Sequence, residues 1–258
     1  MSTPSEFGAL LDDAARHARA VPRFDPEGAL KLEYAYAIQR DSIERRVARG
    51  ERRVGVKMGF TSRAKMAQMG LSDVIWGRLT SGLQVEEGGE IDLDRFIHPR
   101  VEPELAFLLK HPLRGDVTGP EALAAVEAIA PALEIIDSRF EDFKFSLPEV
   151  IADNASCGGF VMGSWRDPRI EFDNLGLTLN LDGRVAQVGS TAALLGHPLR
   201  SLIAAARLSS KAGEPLQAGW IVMAGGATAA QPIAPGQYVH VEMERLGSAG
   251  FRVKEMRR

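Results

Sequence analysis

The chain contains very little cysteine: a single residue, Cys157, among 258. One cysteine can neither close an internal disulfide bond nor build a thiolate metal site, and it is compatible with a reducing cytoplasm. Histidine is also scarce, with five residues and no pair at H-x-x-H spacing, which disfavours a histidine zinc site. We therefore expect a cytoplasmic protein without sulfur- or histidine-based metal binding.

An excess of charge of one sign is missing as well. The 31 basic and 34 acidic residues leave a net charge of -3, so no polybasic surface indicates nucleic acid or an anionic membrane. No apolar run approaches the roughly 20 residues that cross a bilayer. The first twenty residues contain acids and no unbroken apolar core, which excludes a secretory signal. We expect a soluble protein that binds neither nucleic acid nor membrane.

Nucleotide-binding signatures are likewise absent, because no G-x-G-x-x-G follows a strand pattern and there is no P-loop. The first fifty residues instead read as helical. One helix is predicted over Ser5–Ala20, and a second begins at Asp25, with Pro26 in its first turn, and ends near Gly50. We expect an N-terminal helical region over residues 1–53 and a catalytic domain over 54–258.

After residue 54 strand patterns outnumber helix patterns. Short strands are predicted at RVGVKMGF, ALEIIDS, GWIVMAGG, GQYVHVEMERLG and AGFRV, and the Asp-Gly turn of LGLTLNLDGRVAQVG predicts a hairpin. Helices are predicted at SRAKMAQMG, ending at Gly70, from the capping box Thr118–Glu121 to Pro131, and at HPLRSLIAAARLSSKAG. Because no regular βαβ series occurs, we expect an α+β protein with curved, mostly antiparallel sheets.

Two glutamates interrupt the predicted strand HPRVEPELAFLLK. Glu102 and Glu104 are two residues apart, so they point to the same face, where like charges repel and resist burial. A divalent cation such as Mg²⁺ or Mn²⁺ converts that repulsion into coordination, and Glu134 in the apolar strand ALEIIDS is the candidate third ligand. Spacing alone leaves open the alternative that all three acids lie on a solvated sheet face.

Two further segments carry reactive side chains. Lys57 in VGVKMGF places a cation in an apolar strand, where it either reaches the surface or faces an anionic substrate or developing oxyanion. DNASCGGF offers Ser156 and Cys157 beside paired glycines. No neighbouring base activates either one, so a turn role for this segment remains the simpler interpretation.

Seven segments in order resemble the family of 2-keto-4-pentenoate hydratases and 4-oxalocrotonate decarboxylases, which share a fumarylacetoacetase-like fold. They are VGVKMGFTSRAKMAQMG, HPRVEPELAF, PALEIIDSRF, ADNASCGGF, LGHP, GEPLQAGWIVMAGG and LGSAGF. The resemblance implies that Glu102, Glu104 and Glu134 bind Mg²⁺, with Mn²⁺ as the other candidate and no organic cofactor. It also implies that Lys57 and Ser156 line the substrate pocket.

The stretch LSDVIWG favours the decarboxylase branch of that family. Hydratases typically carry an acid where this chain has Ile75, while Asp73 lies two residues out of register. IDSRFEDFKF and GGATAA also match decarboxylases. The resemblance therefore implies decarboxylation of 4-oxalocrotonate (2-oxo-3-hexenedioate) to 2-hydroxypenta-2,4-dienoate in meta-cleavage degradation of aromatic compounds. Ile75, Arg139, Lys144 and Thr228 are the expected substrate contacts; a structural salt bridge or turn remains open for the last three.

Three alternatives accompany this expectation. The first is a 2-keto-4-pentenoate hydratase with the same metal and pocket. The second is a hydrolase of carbon–carbon bonds, for which the sequence lacks an evident His/Glu pair near the acids. The third is a mainly structural subunit, because decarboxylases of this family associate with the pathway's hydratase. We expect a homo-oligomer in each case.

Overall fold

The computed structural model describes residues 3–63, 66 and 72–256. These residues form five α-helices: α1 Pro4–His17, α2 Leu32–Ala48, α3 Gly119–Ala124, α4 Leu147–Ala152 and α5 Leu199–Lys211. The strands in chain order are β1 Arg53–Gly59, β2 Ile75–Thr80, β3 Gln84–Val85, β4 Glu90–Ile91, β5 Arg100–Leu109, β6 Val126–Ile136, β7 Cys157–Met162, β8 Gly176–Leu181, β9 Arg184–Ser190, β10 Ile221–Met223, β11 Gln231–Pro232, β12 Tyr238–Met243 and β13 Gly247–Val253.

The strands build two sheets. The larger has the order β2-β1-β10-β5-β6-β7-β3, with β11 also paired to β5, and the smaller has the order β4-β13-β12-β8-β9. Pairing is antiparallel except at β1–β10, β3–β7 and β4–β13. The long central pair β5–β6 lies between β10 and β7. An apolar cluster that includes Val101 of β5 and Leu133 of β6 joins this pair to the smaller sheet. The predicted mostly antiparallel α+β architecture is confirmed.

Strand β6 begins earlier than the sequence pattern predicts. The capping box of Thr118 and Glu121 is confirmed, but the helix it opens ends at Ala124 instead of Pro131. The residues from Val126 onward pair with β5, because that pairing buries them in the sheet. Pro131 fits within the strand because its backbone polar groups face away from β5. Its carbonyl accepts from the amide of Gly163, just past the end of β7, at 2.9 Å, and an N–H at this position would point the same way. The missing N–H therefore removes no bond to β5.

The start of the second helix was also predicted too early. Asp25 does not cap it; its carboxylate accepts hydrogen bonds from the amides of Ala29 at 2.9 Å and Leu30 at 3.1 Å, which closes a turn. The helix begins seven residues later, at Leu32. The hairpin at 176–190 is confirmed, whereas the helix predicted to end at Gly70 lies mostly outside the described residues.

The N-terminal helices pack directly on the strands that carry the site. Gln39 of α2 donates hydrogen bonds to the carbonyls of Trp76, at 3.2 Å, and Ile151, at 2.6 Å. Leu11 and Ile38 join one apolar cluster with residues of β2 and α4. The division at residue 53 therefore stays a prediction about folding units. No helix in the described part of the chain is long and apolar enough to span a bilayer.

Candidate active site

Strands β5 and β6 bring the three glutamates together. Glu102 lies opposite Glu134 in the antiparallel register, and Glu104 is on the same face of β5. One carboxylate oxygen from each residue lies within 4.8 Å of the others. Glu104 and Glu134 have no exposed surface, while Glu102 is partly exposed and lines a cavity. The tertiary structure therefore gathers these acids instead of leaving them on a solvated face.

The carboxylate triad, Glu102, Glu104 and Glu134, fits a divalent cation. Glu104 Oε1 and both carboxylate oxygens of Glu134 are buried without a well-formed hydrogen bond from any described residue. Burial, together with the negative charges of Glu134 and Glu102, raises the pKa of Glu104 well above its usual value. Three such acids are costly to keep ionised unless a cation lies among them. Oxygen donors of this kind are the ligands that Mg²⁺ and Mn²⁺ prefer.

Lys57 brings a positive charge into contact with the triad. It lies on β1, is almost fully buried, and its Nζ is 3.0 Å from Glu134 Oε1. The same ammonium donates a hydrogen bond of 2.9 Å to the carbonyl of Ala155. Burial alone lowers the pKa of Lys57, but the charge of Glu134 outweighs it and raises the pKa above its usual value. Lys57 is therefore a fixed cation at the edge of the triad.

A left-handed turn carries Ser156 to the same place. Asn154, Ala155 and Ser156 have φ values of 51°, 51° and 57°, an unfavourable conformation for residues with side chains. The Asn154 side chain holds the turn by accepting from the Arg78 amide at 2.7 Å and donating to the Arg78 carbonyl at 2.9 Å. The Ser156 hydroxyl is buried, lines the cavity and has no hydrogen-bond partner among the residues that the structure describes. This geometry leaves the hydroxyl available to a ligand.

Two glycines after β10 complete the wall behind the triad. The amide of Gly225 donates to Glu104 Oε2 at 2.8 Å. Gly225 has a φ of 105°, and a Cβ there would lie 2.1 Å from Thr61 Oγ1. At Gly226 a Cβ would lie 2.4 Å from the carboxyl group of Glu102. Neither position accepts a side chain without displacing the site.

The cavity above the triad has a volume of about 210 Å³. That volume suits a small organic acid better than a nucleotide-sized ligand. Lys57, Ile75, Glu102 and Ser156 all line it. Its other described walls are mainly apolar and aromatic, and they include Gly59, Phe60, Ile136, Phe143, Phe145, Val150 and Ala155.

Three of the expected substrate contacts lie elsewhere. Arg139 is buried, but its guanidinium forms an ion pair with Asp153 and donates to the Cys157 carbonyl at 3.1 Å. Lys144 is exposed and pairs with Asp142 at 3.1 Å, and Thr228 donates to the neighbouring Ala229 carbonyl. None of the three lines the cavity among the described residues. The structural alternatives named for them match these contacts.

Sequence reasoning missed other cavity residues. Arg100 lines the cavity and is on the same face of β5 as Glu102, which the same two-residue periodicity indicates. Phe143 and Phe145 also line it, but they come from an irregular segment with no periodic signal. Gly226 could be found only from the three-dimensional closeness of its backbone to Glu102.

A second cavity of about 440 Å³ lies beyond Ile75, which lines both. It is bounded by α2, β2 and α5, and it includes Asp73. Asp73 lies 2.9 Å from the guanidinium of Arg207. The acid closest in sequence to the hydratase position therefore faces the second cavity and is ion-paired there.

Comparisons with known proteins show which family this chain resembles. The family model described as fumarylacetoacetate hydrolase C-terminal matches residues 47–254. A 4-oxalocrotonate decarboxylase of a Pseudomonas species is 56% identical over 96% of each chain. The TodF product hydratase of Pseudomonas putida F1 is 37% identical over 93% of this chain and 91% of its own.

A solved structure has nearly the same fold. The 4-oxalocrotonate decarboxylase of Pseudomonas putida G7, in complex with magnesium and adipate, superposes with a TM-score of 0.93. It is 36% identical in sequence, and the match covers 97% of each chain. The predicted fumarylacetoacetase-like fold is thereby confirmed.

Proposed function

The chain belongs to the fumarylacetoacetate hydrolase family, among its hydratases and decarboxylases, and we propose that it is a metal-dependent 4-oxalocrotonate decarboxylase. The supporting observation is the buried carboxylate triad beneath a small, largely apolar cavity whose wall presents Ile75. The decarboxylase relative is also considerably more similar than the hydratase. The enzyme would be a carbon–carbon lyase of the carboxy-lyase type.

The proposed reaction breaks the bond between C5 and the distal carboxyl carbon of 2-oxo-3-hexenedioate. The electron pair of that bond forms a C4–C5 double bond, the C3–C4 double bond shifts to C2–C3, and charge reaches the 2-oxo oxygen. Protonation of that oxygen gives 2-hydroxypenta-2,4-dienoate, and the carboxylate leaves as CO₂. A bound divalent ion supplies a Lewis acid for the electron density that collects at that oxygen.

Residues of the chain would hold the substrate and stabilise its charge. Glu102, Glu104 and Glu134 would hold the ion, for which we propose Mg²⁺, with Mn²⁺ as a substitute and no organic cofactor. Lys57 would add fixed positive charge near the developing enolate. The unpartnered Ser156 hydroxyl would donate to a substrate oxygen.

Ile75 would separate decarboxylation from hydration. Its buried side chain forms part of the cavity wall and cannot transfer a proton to or from water. Asp73 is directed to the other cavity, where Arg207 pairs with it. Among the described residues no acid therefore takes the place that the resemblance gives to the hydratase carboxylate.

Feeding both substrates to the purified protein tests the function. With Mg²⁺ present, we expect CO₂ release from 2-oxo-3-hexenedioate without hydration of 2-hydroxypenta-2,4-dienoate. Hydration without CO₂ release would instead identify a hydratase. Glu102→Gln is expected to lose both Mg²⁺ binding and turnover, since it removes one of three anionic ligands. If the protein were mainly a structural subunit, the same variant would still assemble and pathway flux would be unchanged.

The assembly is a separate proposal that rests on the family resemblance. We propose a cytoplasmic homo-oligomer that associates with the pathway's 2-keto-4-pentenoate hydratase. Light scattering after size-exclusion chromatography would measure the mass of the protein alone and with that hydratase. A monomer that does not co-elute with the hydratase would contradict both parts.

A further inference from the structure

Arg100 is the first residue of β5, and it lines the cavity. Because side chains alternate along a strand, Arg100, Glu102 and Glu104 point to one face, with successive Cα atoms on that face about 7 Å apart. Ile136, its partner across the β5–β6 register, also lines the cavity. The strand thus holds a cation and two carboxylates of the triad along one wall.

No described acidic residue neutralises this cation. Within the described residues Arg100 forms no ion pair, and its guanidinium carbon lies 4.5 Å from the centre of the Phe143 ring. Stacking of this kind fixes the guanidinium plane, while the N–H donors remain at its edge. Lys57, the other cation of the cavity, already contacts Glu134 and the Ala155 carbonyl. Arg100 is therefore the described cation with donors available to a ligand.

We propose that Arg100 binds the distal carboxylate of a 2-oxo dicarboxylate whose 2-oxo acid end lies at the carboxylate triad, and thereby selects dicarboxylates over monocarboxylates. The proposal rests on the proposed function and adds a specificity determinant to it. An extended six-carbon diacid places its carboxyl carbons roughly 6 Å apart, given C–C bonds of about 1.5 Å. The Cα atoms of Arg100 and Glu102 are about as far apart, so the two ends of such a diacid can face these two side chains at the same time.

Arg100 should contribute to binding more than to the chemical step. The carboxylate it contacts is the group that leaves as uncharged CO₂, so the ion pair is at least as strong in the ground state as in the transition state. Replacing Arg100 is therefore expected to raise KM for 2-oxo-3-hexenedioate while leaving kcat unchanged or higher. A residue that only supports the fold would lower kcat as well.

Binding of two matched ligands tests the proposal. 2-Oxoadipate and 2-oxohexanoate have the same chain length and the same 2-oxo acid, and they differ only in the distal carboxylate. By calorimetry on the Mg²⁺-loaded protein, we expect 2-oxoadipate to bind roughly ten-fold or more tightly than 2-oxohexanoate. Arg100→Gln should abolish that preference without changing 2-oxohexanoate affinity, and Arg100→Lys should retain part of it.

Arg114→Gln is the matched control, because Arg114 is an exposed arginine past the other end of β5. It should keep the full preference. Three results would each overturn the proposal. The native protein could bind both ligands equally, Arg100→Gln could retain the preference for 2-oxoadipate, or Arg100→Gln could lose affinity for both ligands to the same extent.

CO₂ release by the native protein separates this proposal from the proposed function. A protein that prefers 2-oxoadipate through Arg100 but releases no CO₂ would contradict the decarboxylase and support the carboxylate contact. A protein that releases CO₂ without preferring 2-oxoadipate would do the reverse.

Discussion

Within the described part of the chain, two buried serines have hydroxyl groups without a hydrogen-bond partner, and one of them lines the cavity. Ser156 does, whereas Ser201 is fully buried in α5. Since neither Ser156→Ala nor Ser201→Ala breaks a bond within the protein, each should change the free energy of unfolding by less than about 1 kcal/mol. Urea unfolding would measure this.

Turnover should distinguish the two serines. Ser156→Ala is expected to lower kcat/KM roughly ten-fold or more, because the proposed partner of this hydroxyl is a substrate oxygen. Ser201→Ala should leave kcat/KM unchanged. Full activity of Ser156→Ala would mean that this hydroxyl takes no part in binding or catalysis.

Lys57 links stability to metal binding. Lys57→Met leaves Glu134 buried without its ammonium partner, which should cost on the order of 3 kcal/mol in the metal-free protein. Mg²⁺ should restore part of that loss, so the ion should raise the thermal midpoint of Lys57→Met more than that of the native protein. Lys254→Met, which removes an exposed lysine 3.6 Å from Asp92, serves as the control and should show the native response. If Mg²⁺ raised the thermal midpoint equally in the native protein, Lys57→Met and Lys254→Met, the proposed coupling between Lys57 and metal binding would be contradicted.

Residue spacing revealed part of this site and could have revealed more. The two-residue rule placed Glu102 and Glu104 on one face, and applied to the whole strand it also selects Arg100. That Glu134 lies opposite Glu102 depends on the register between two strands, which no local pattern encodes. Arg139 was named as a carboxylate contact, with a structural salt bridge as the alternative. The sequence could not identify Asp153 as its partner, because Asp153 is fourteen residues away and only the tertiary fold brings it close.

At the scale of elements, Glu214 ties the loop after α5 to β1 and β2. Its carboxylate contacts Arg78 at 2.5 Å and Arg53 at 2.9 Å. Burial alone raises the pKa of Glu214, but hydrogen bonds and charge from Arg78 and Arg53 outweigh it and hold the pKa at about 2. Because this folded-state pKa is below the usual value of about 4.5, the stabilisation is complete above that pH and is lost as the pH falls toward 2.

Glu214→Gln should therefore lower the free energy of unfolding by roughly 2 kcal/mol at pH 7, and by less at pH 3.5. Urea unfolding at the two pH values measures both differences. Asp167→Asn is the control, because Arg169 also holds the pKa of Asp167 at about 2. These two residues are exposed and only two positions apart in the sequence, so they can also pair in the unfolded chain. For Asp167→Asn, the change in the free energy of unfolding should be the same at both pH values. If the loss in Glu214→Gln were also independent of pH, the stabilisation by ionised Glu214 would be contradicted.

The boundary between α3 and β6 shows why element limits were harder to predict than element types. Leu123, Val126 and Ile129 recur at helical spacing. In the structure Val126 and Ile129 share a buried face of β6 only because the register with β5 shifts between Leu108 and Leu109, an irregularity that no local pattern indicates. Pairing with ten residues of β5 decided between helix and strand. The hairpin at 176–190 needed no such partner, because its Asp182-Gly183 turn has positive φ at both residues and encodes the register locally.

At the scale of the whole molecule, the N-terminal helices share one apolar cluster with the walls of the site. Leu11 and Ile38 belong to the same cluster as Ile75, Ile151 and Ala155. Deleting residues 1–52 exposes this cluster, so the remaining chain should bind a hydrophobic dye and unfold without a sharp transition. Circular dichroism and dye fluorescence during heating would measure this. Cooperative unfolding of the shortened chain would show that residues 54–258 are an independent domain.

The single cysteine can be used to measure how often strands β6 and β7 separate. Cys157 begins β7 beside β6, only 2% of its surface is exposed, and burial raises the pKa of its thiol. A thiol reagent can label it only when these strands separate, so the labelling rate counts openings of the strand pair that carries Glu134. Mg²⁺ should slow the labelling several-fold, because an ion bound to Glu134 stabilises the folded position of β6, the strand from which β7 must separate. Labelling that is as fast as for a free thiol, or indifferent to Mg²⁺, would mean that metal binding and strand separation proceed independently.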